Sequence, residues 1–173
     1  MIAKRAPEET NDSVNLVISL LVRHPELSRI IIKPRSTAIA FFFIVRTVLS
    51  AEERARFERN AVEHTKALRA LGRTGKADAS VRFSAGDDLT FVEIERDAKS
   101  IGRDEIAMIV GLVSQTFGER LVVNPPAEEA DDDMSIQEES VATALDAVQR
   151  SRHRKGLVGF RDERRVLIYF GKA

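Results

Sequence analysis

The sequence predicts an α+β fold in which antiparallel β-hairpins pack against helices. Apolar residues recur at helical spacing in four segments, and three pairs of shorter segments carry alternating or continuous apolar residues. Turn residues separate the two members of each pair. The predicted order is α-β-β-α-β-β-α-β-α-β-β. Hairpins separated by helices indicate an antiparallel sheet rather than a doubly wound parallel one.

Composition excludes several classes of protein. The chain has 173 residues, enough for one domain with a substantial core, and its 27 basic and 27 acidic residues cancel, which argues against a general polyanion binder. Cysteine is absent, which excludes disulfides, thiolate metal ligands and a cysteine nucleophile. The first residues lack the apolar core of a signal peptide, and the longest apolar runs are too short to span a bilayer as a helix. We therefore expect a soluble cytoplasmic protein.

The first helix is predicted to follow a flexible tail at residues 1–11. Asn11 or Asp12 can cap this helix, which should run to about His24 because Pro25 stops it. A histidine at a helix end is expected to cap the helix or to lie on the surface.

The hairpin at residues 27–46 is apolar on both faces. Strand side chains alternate, so Phe41 and Phe43 lie on one side and Phe42 on the other, each with apolar neighbours. Helices can cover one side, and a second layer or a partner subunit must cover the other. The last hairpin, at residues 157–170, shows the same pattern. The candidate contacts for self-association or for a second layer are Phe41, Phe42, Phe43, Val158, Phe160, Leu167 and Tyr169.

The second helix has the clearest predicted start. Ser50 and Glu53 form a capping-box pattern, and the helix should end near Leu71, before Gly72. The hairpin that follows, at residues 79–96, alternates between apolar and polar residues, so one of its faces is predicted to meet water.

The rest of the chain is predicted to contain a linker. A third helix at about residues 101–117 and a short strand at residues 120–123 complete a main domain, residues 12–124. Residues 125–134 combine proline with a run of acids, which is typical of a linker. The C-terminal piece, residues 135–173, contains a capped helix and the last hairpin, and we expect it to pack on the main domain.

Three carboxylates form a candidate acidic row. Glu93, Glu95 and Asp97 would share the outer face of one strand, about 7 Å apart at successive positions. Such a row can serve acid–base catalysis or bind a hard metal ion. Arg82 is expected on the same face, however, so cross-strand ion pairing on a solvated surface is the preferred interpretation.

The last helix and hairpin contain a dense group of cations. These residues, which we call the basic patch, could converge to bind phosphate and so support nucleic-acid binding. Cations also favour a helix C-terminus, and the acidic linker could neutralise them. The basic patch consists of Arg150, Arg152, His153, Arg154, Lys155, Arg161, Arg164 and Arg165.

The functional prediction is a non-enzymatic protein-interaction or regulatory module that self-associates as a dimer. The histidines show no metal-binding pattern, and no nucleophile elbow is present, so we expect no metal, no cofactor and no catalytic residue. No membrane partner is expected. Two alternatives stay open: a nucleic-acid-binding protein that uses the basic patch, and an enzyme that uses the acidic row.

Overall fold

A computed structural model describes residues 8–33, 38–72, 79–126, 134–150 and 156–171. In these segments, four helices accompany six strands, which confirms the α+β class and the order of the hairpins. The helices are α1 (Glu8–Arg23), α2 (Ala51–Ala70), α3 (Arg103–Phe117) and α4 (Met134–Arg150). The strands are β1 (Arg29–Ile32), β2 (Ala38–Val45), β3 (Ser80–Ala85), β4 (Thr90–Asp97), β5 (Gly156–Asp162) and β6 (Arg165–Gly171).

All six strands form one antiparallel sheet with the order β3-β4-β2-β1-β5-β6. The hairpin β1–β2 lies at the centre, and the other two hairpins flank it. Central strands have neighbours on both edges, and their continuous apolar sequence agrees with this position.

The helix starts follow local capping chemistry to different degrees. At α2 the capping box is confirmed: the Ser50 hydroxyl accepts from the Glu53 amide at 3.2 Å, and the Glu53 carboxylate accepts from the Ser50 amide at 2.9 Å. Gly72 follows α2 with a φ of 68°, a backbone conformation that favours glycine. Helix α1, in contrast, begins at Glu8, about one turn before the predicted caps Asn11 and Asp12.

The predicted strand at residues 120–123 contributes only a single bridge to the sheet. A short 3-10 helix (Gly118–Arg120) follows α3, and Leu121 then forms an antiparallel bridge with Val45. The short strand β1 pairs with β2 only as far as Phe42, so the end of β2 is open to this bridge. The segment then leaves the sheet, because the amide of Asn124 donates to the carbonyl of Pro25.

One hydrophobic core joins the N-terminal and C-terminal parts of the chain. Helix α4 packs against α1, and β5 pairs with β1. Val141, Leu145 and Val148 of α4 belong to the same buried cluster as Leu16 and Leu20 of α1. The described part of the C-terminal piece therefore shares both the core and the sheet of the main domain. The predicted linker falls mostly on residues 127–133, outside the described residues.

None of the helices in the described part of the chain is long and apolar enough to cross a membrane.

Candidate interaction surface

The strand register divides the sheet into two sides with different surroundings. Ile30 of β1 lies opposite Phe41 of β2, which lies opposite Ile94 of β4, and all three are buried. At β5 the same row reaches Gly159, where an added Cβ would lie 2.2 Å from Cγ1 of Val17 in α1. The helices therefore lie on this side, which we call the covered side.

The opposite side of the sheet, which we call the open face, has no described helix packed on it. Phe41 and Phe43 point to the covered side and belong to the hydrophobic core. Ala40 and Phe42 point to the open face, and although both are buried they lie outside that core. The predicted two-sided hairpin thus has a helix layer on one side and no described helix on the other, where Ala40 and Phe42 are buried.

The apolar half of the open face comprises the apolar residues of β1, β2, β5 and β6 on that side. Its members are Ile31, Ala38, Ala40, Phe42, Ile44, Val158, Phe160, Leu167 and Tyr169.

Exposure within the apolar half rises from the centre of the sheet towards β6. At the centre, Phe42 is 9% exposed because the guanidinium of Arg29 lies 4.2 Å from its ring centroid, a cation–π contact. Towards the edge, the ring of Phe160 stacks on Tyr169, with centroids 5.5 Å apart and planes 6° apart. Tyr169 is 55% exposed. The most accessible apolar surface is therefore at the β6 edge.

The charged half of the open face lies on β3 and β4 and contains the acidic row. Arg82 donates to Glu93 at 2.7 Å and to Glu95 at 2.9 Å, and Lys33 also pairs with Glu95. Burial raises the pKa of Glu95, but the hydrogen bonds and charges of Lys33 and Arg82 outweigh this effect and hold the pKa below its usual range. Asp97 accepts from the amide of Lys99. The predicted cross-strand pairing with Arg82 is thus present.

Metal-ligating groups do not converge in the described part of the chain. No three histidine or carboxylate side chains there lie close enough to hold a metal ion together.

The described members of the basic patch lie on different elements and in different surroundings. Arg150 pairs with Asp146 one helical turn away, at 2.6 Å. Arg164 lies in the β5–β6 turn and Arg165 begins β6, and both are exposed. The remaining members, Arg152, His153, Arg154 and Lys155, lie outside the described residues.

Arg161 of the basic patch is buried on the covered side. Its guanidinium donates to the backbone carbonyls of Leu21 and Val22 at the end of α1, and to that of Pro125 at 3.1 Å. This places a cation at the negative end of the helix dipole and satisfies carbonyls that have no partner within the helix. Burial lowers the pKa of Arg161. Arg161 therefore stabilises the end of α1 and is not available to a ligand at the surface.

Two buried ionisable groups were not identified from the sequence. Arg96 and Glu105 form an ion pair whose side chains are fully buried between β4 and α3. The alternation of β4 carries the signal, because Arg96 follows Val92 and Ile94 on the covered side. His24, expected to be a cap or a surface residue, directly follows α1, where its amide donates to the carbonyl of Leu20, and it is half-buried beside a cavity of about 170 Å³.

Comparison of this chain with models of protein families, with curated proteins and with solved structures found no match.

Proposed function

We propose that this chain is a non-enzymatic protein-interaction module that self-associates through the β6 side of the open face. The observation that carries this proposal is the exposed aromatic stack of Phe160 and Tyr169 on a sheet surface with no described helix over it. Contiguous apolar surface of this kind is typical of protein–protein contact sites, because its removal from water is favourable by roughly 25 cal/mol per Å².

The size of the apolar half indicates a weak association. Four strands about 4.8 Å apart and about five residues long give a footprint of roughly 19 by 17 Å, or about 320 Å². The area that a partner can contact is smaller, because Ala40 and Phe42 are already buried. Stable interfaces bury about 800 Å² on each partner. We therefore expect a dimer that forms at micromolar or higher concentration. Cytoplasmic location remains a proposal that rests on the composition of the chain.

Neither alternative function gains support from a specific observation. In the described part of the basic patch, Arg161 binds helix carbonyls and Arg150 pairs with Asp146. In the acidic row, Arg82 forms ion pairs with Glu93 and Glu95, and Lys33 also pairs with Glu95.

Sedimentation velocity across a concentration series tests the proposal. The wild-type chain should shift from monomer to dimer between about 1 µM and about 300 µM, the range expected for an interface below standard size. Tyr169→Glu should move this transition to at least tenfold higher concentration, because it introduces a charge into the apolar contact.

Leu71→Glu provides the matched control. Leu71 is 70% exposed and lies at the end of α2, away from the sheet, so the substitution adds the same charge without touching the open face. Its dimerisation should equal that of the wild type. A wild-type chain that stays monomeric over the whole series would refute the proposed function.

A further inference from the structure

The two edges of the sheet differ in their protection against pairing with another strand. The β3 edge carries the charged Arg82 and the exposed Ser80 and Ser84. The β6 edge has no charge from Val166 to Phe170, and Phe170 is 53% exposed. Charged and polar residues on an edge discourage strand addition, and their absence favours it.

The turn between β5 and β6 determines which backbone groups of β6 point away from the sheet. Only two residues, Glu163 and Arg164, separate the paired residues Asp162 and Arg165. The closing pair of a two-residue hairpin exchanges both backbone hydrogen bonds, and hydrogen-bonded pairs then alternate with non-bonded pairs.

This alternation divides the residues of β6 into two sets. Leu167 and Tyr169, two and four positions after the closing pair, direct their N–H and C=O groups towards β5. Val166, Ile168 and Phe170 direct theirs outwards, beyond the edge of the sheet.

We propose that a second copy of this chain docks on this edge, with the two β6 strands antiparallel about a two-fold axis at Ile168. This inference rests on the proposed function and specifies how the copies meet. The outward sets of the two strands then face each other: Val166 lies opposite Phe170 of the partner subunit, and Ile168 lies opposite its own copy. Three hydrogen-bonded pairs with two bonds each give about six backbone hydrogen bonds across the interface.

The order of residues along β6 favours pairing with the β6 strand of a second copy. On the open face, Leu167 lies opposite Tyr169 of the partner subunit, so every side-chain pair from Val166 to Phe170 is apolar. Arg165 lies opposite Gly171 of the partner subunit, and no like charges meet within the paired segment.

Neighbouring registers lose this match. Moving the axis to Leu167 would place Arg165 opposite Tyr169 of the partner subunit, and moving it to Tyr169 would place Leu167 opposite Gly171 of the partner subunit. In the register at Ile168, the apolar halves of the two copies lie side by side in one continuous sheet.

Val166→Lys and Phe170→Glu test this register. Each substitution alone places an unpaired charge opposite an apolar residue, so each should weaken dimerisation at least tenfold in sedimentation velocity. An equimolar mixture of V166K and F170E should recover dimers, because the introduced lysine of one chain then faces the introduced glutamate of the other.

The folding of both variants is checked by circular dichroism, since Val166 packs partly against the core. If V166K fails to fold, F170E still tests the edge, because Phe170 is exposed. Ile31→Lys is the control on the open face away from the edge, and it should dimerise like the wild type.

Three outcomes would overturn the inference. A wild-type monomer at all concentrations refutes it together with the proposed function. Dimers that persist in F170E but are lost in I31K refute edge pairing and leave self-association through the open face intact. If both single variants are monomeric and their mixture stays monomeric, the register is wrong.

Discussion

Arg96 and Glu105 place two full charges in the hydrophobic core. The Arg96 Nη2 atom lies 3.1 Å from Glu105 Oε2, and its Nε atom donates to the other carboxylate oxygen, so the contact is bidentate. Both side chains have no exposure. A buried pair of this kind stabilises a fold little relative to apolar residues, but loss of one partner leaves an uncompensated charge.

Glu105→Gln should therefore destabilise the protein by about 3 kcal/mol, because the buried guanidinium of Arg96 loses the charge of the carboxylate with which it pairs. Urea unfolding at pH 7 measures the difference in free energy. The double variant Arg96→Met/Glu105→Leu should recover most of the loss. A Glu105→Gln protein as stable as the wild type would contradict the importance of this pair.

His24 couples the stability of the fold to pH. Burial, with the positive charge of Arg23 beside it, lowers the pKa of His24 to about 4. In the unfolded chain the same group titrates near 6.5. The unfolded state therefore binds more protons between about pH 6.5 and pH 4. The contribution of neutral His24 is complete above this window and is lost as the pH falls through it.

His24→Gln should reduce the acid sensitivity of folding. Between pH 7 and pH 4.5 the wild type should lose on the order of 2 kcal/mol more stability than this variant, a figure that allows for the partial exposure of His24. Urea unfolding at both pH values gives the comparison. His64→Gln, which removes an exposed histidine, should keep the full wild-type loss. Equal losses in His24→Gln and the wild type would refute this assignment.

The contact between α1 and β5 determines how the helix layer packs on the covered side of the sheet. Gly159 allows α1 to approach the strand closely, because a Cβ at this position would lie 2.2 Å from Val17 and 3.2 Å from Leu21. Two positions along the same side of the strand, Arg161 binds the last carbonyls of α1. Gly159 thus determines how closely α1 packs on β5, and Arg161 binds the carbonyls at the end of the helix.

Gly159→Ala should destabilise the protein by about 2 kcal/mol, because Val17 is fully buried and cannot move away without disturbing its neighbours. Thermal unfolding measures the loss. Gly171→Ala is the matched control in β6, where nothing lies within 4 Å of an added Cβ, and its effect should stay within about 0.5 kcal/mol. Equal stabilities of the two variants would show that α1 does not approach β5 this closely.

Across the whole chain, local sequence patterns predicted which helices and strands form better than they predicted the residues at which these elements begin and end. The capping box of Ser50 and Glu53 identified the start of α2 because capping depends on neighbouring residues only. The predicted start of α1 is too late, because apolar periodicity marks only apolar positions and several polar residues of the helix precede the first of them. The sequence predicts a strand at residues 120–123, but in the structure only Leu121 forms a bridge, with Val45. The length of this pairing depends on how much of β2 is left without β1 as a neighbour.

The candidate site was predictable in part for the same reason. Alternation separated Phe42 from Phe41 and Phe43, and it placed Glu93 and Glu95 on one face with Arg82. The burial of Arg161 could not be predicted from the basic residues that surround it in the sequence. Its burial depends on α1, which is distant in sequence and meets β5 only in the folded chain.

The sequence by itself determined the α+β class, the three hairpins and the presence of apolar residues on both faces of two of them. These properties follow from periodicity and turn chemistry, which act over a few residues. Only the tertiary structure decided that all helices of the described residues lie on one side and that β6 is an edge. Strand order and helix placement depend on contacts between distant segments, which no local pattern records. The apolar surface first recognised in the central hairpin is therefore most accessible at β6, where the proposed second copy would bind.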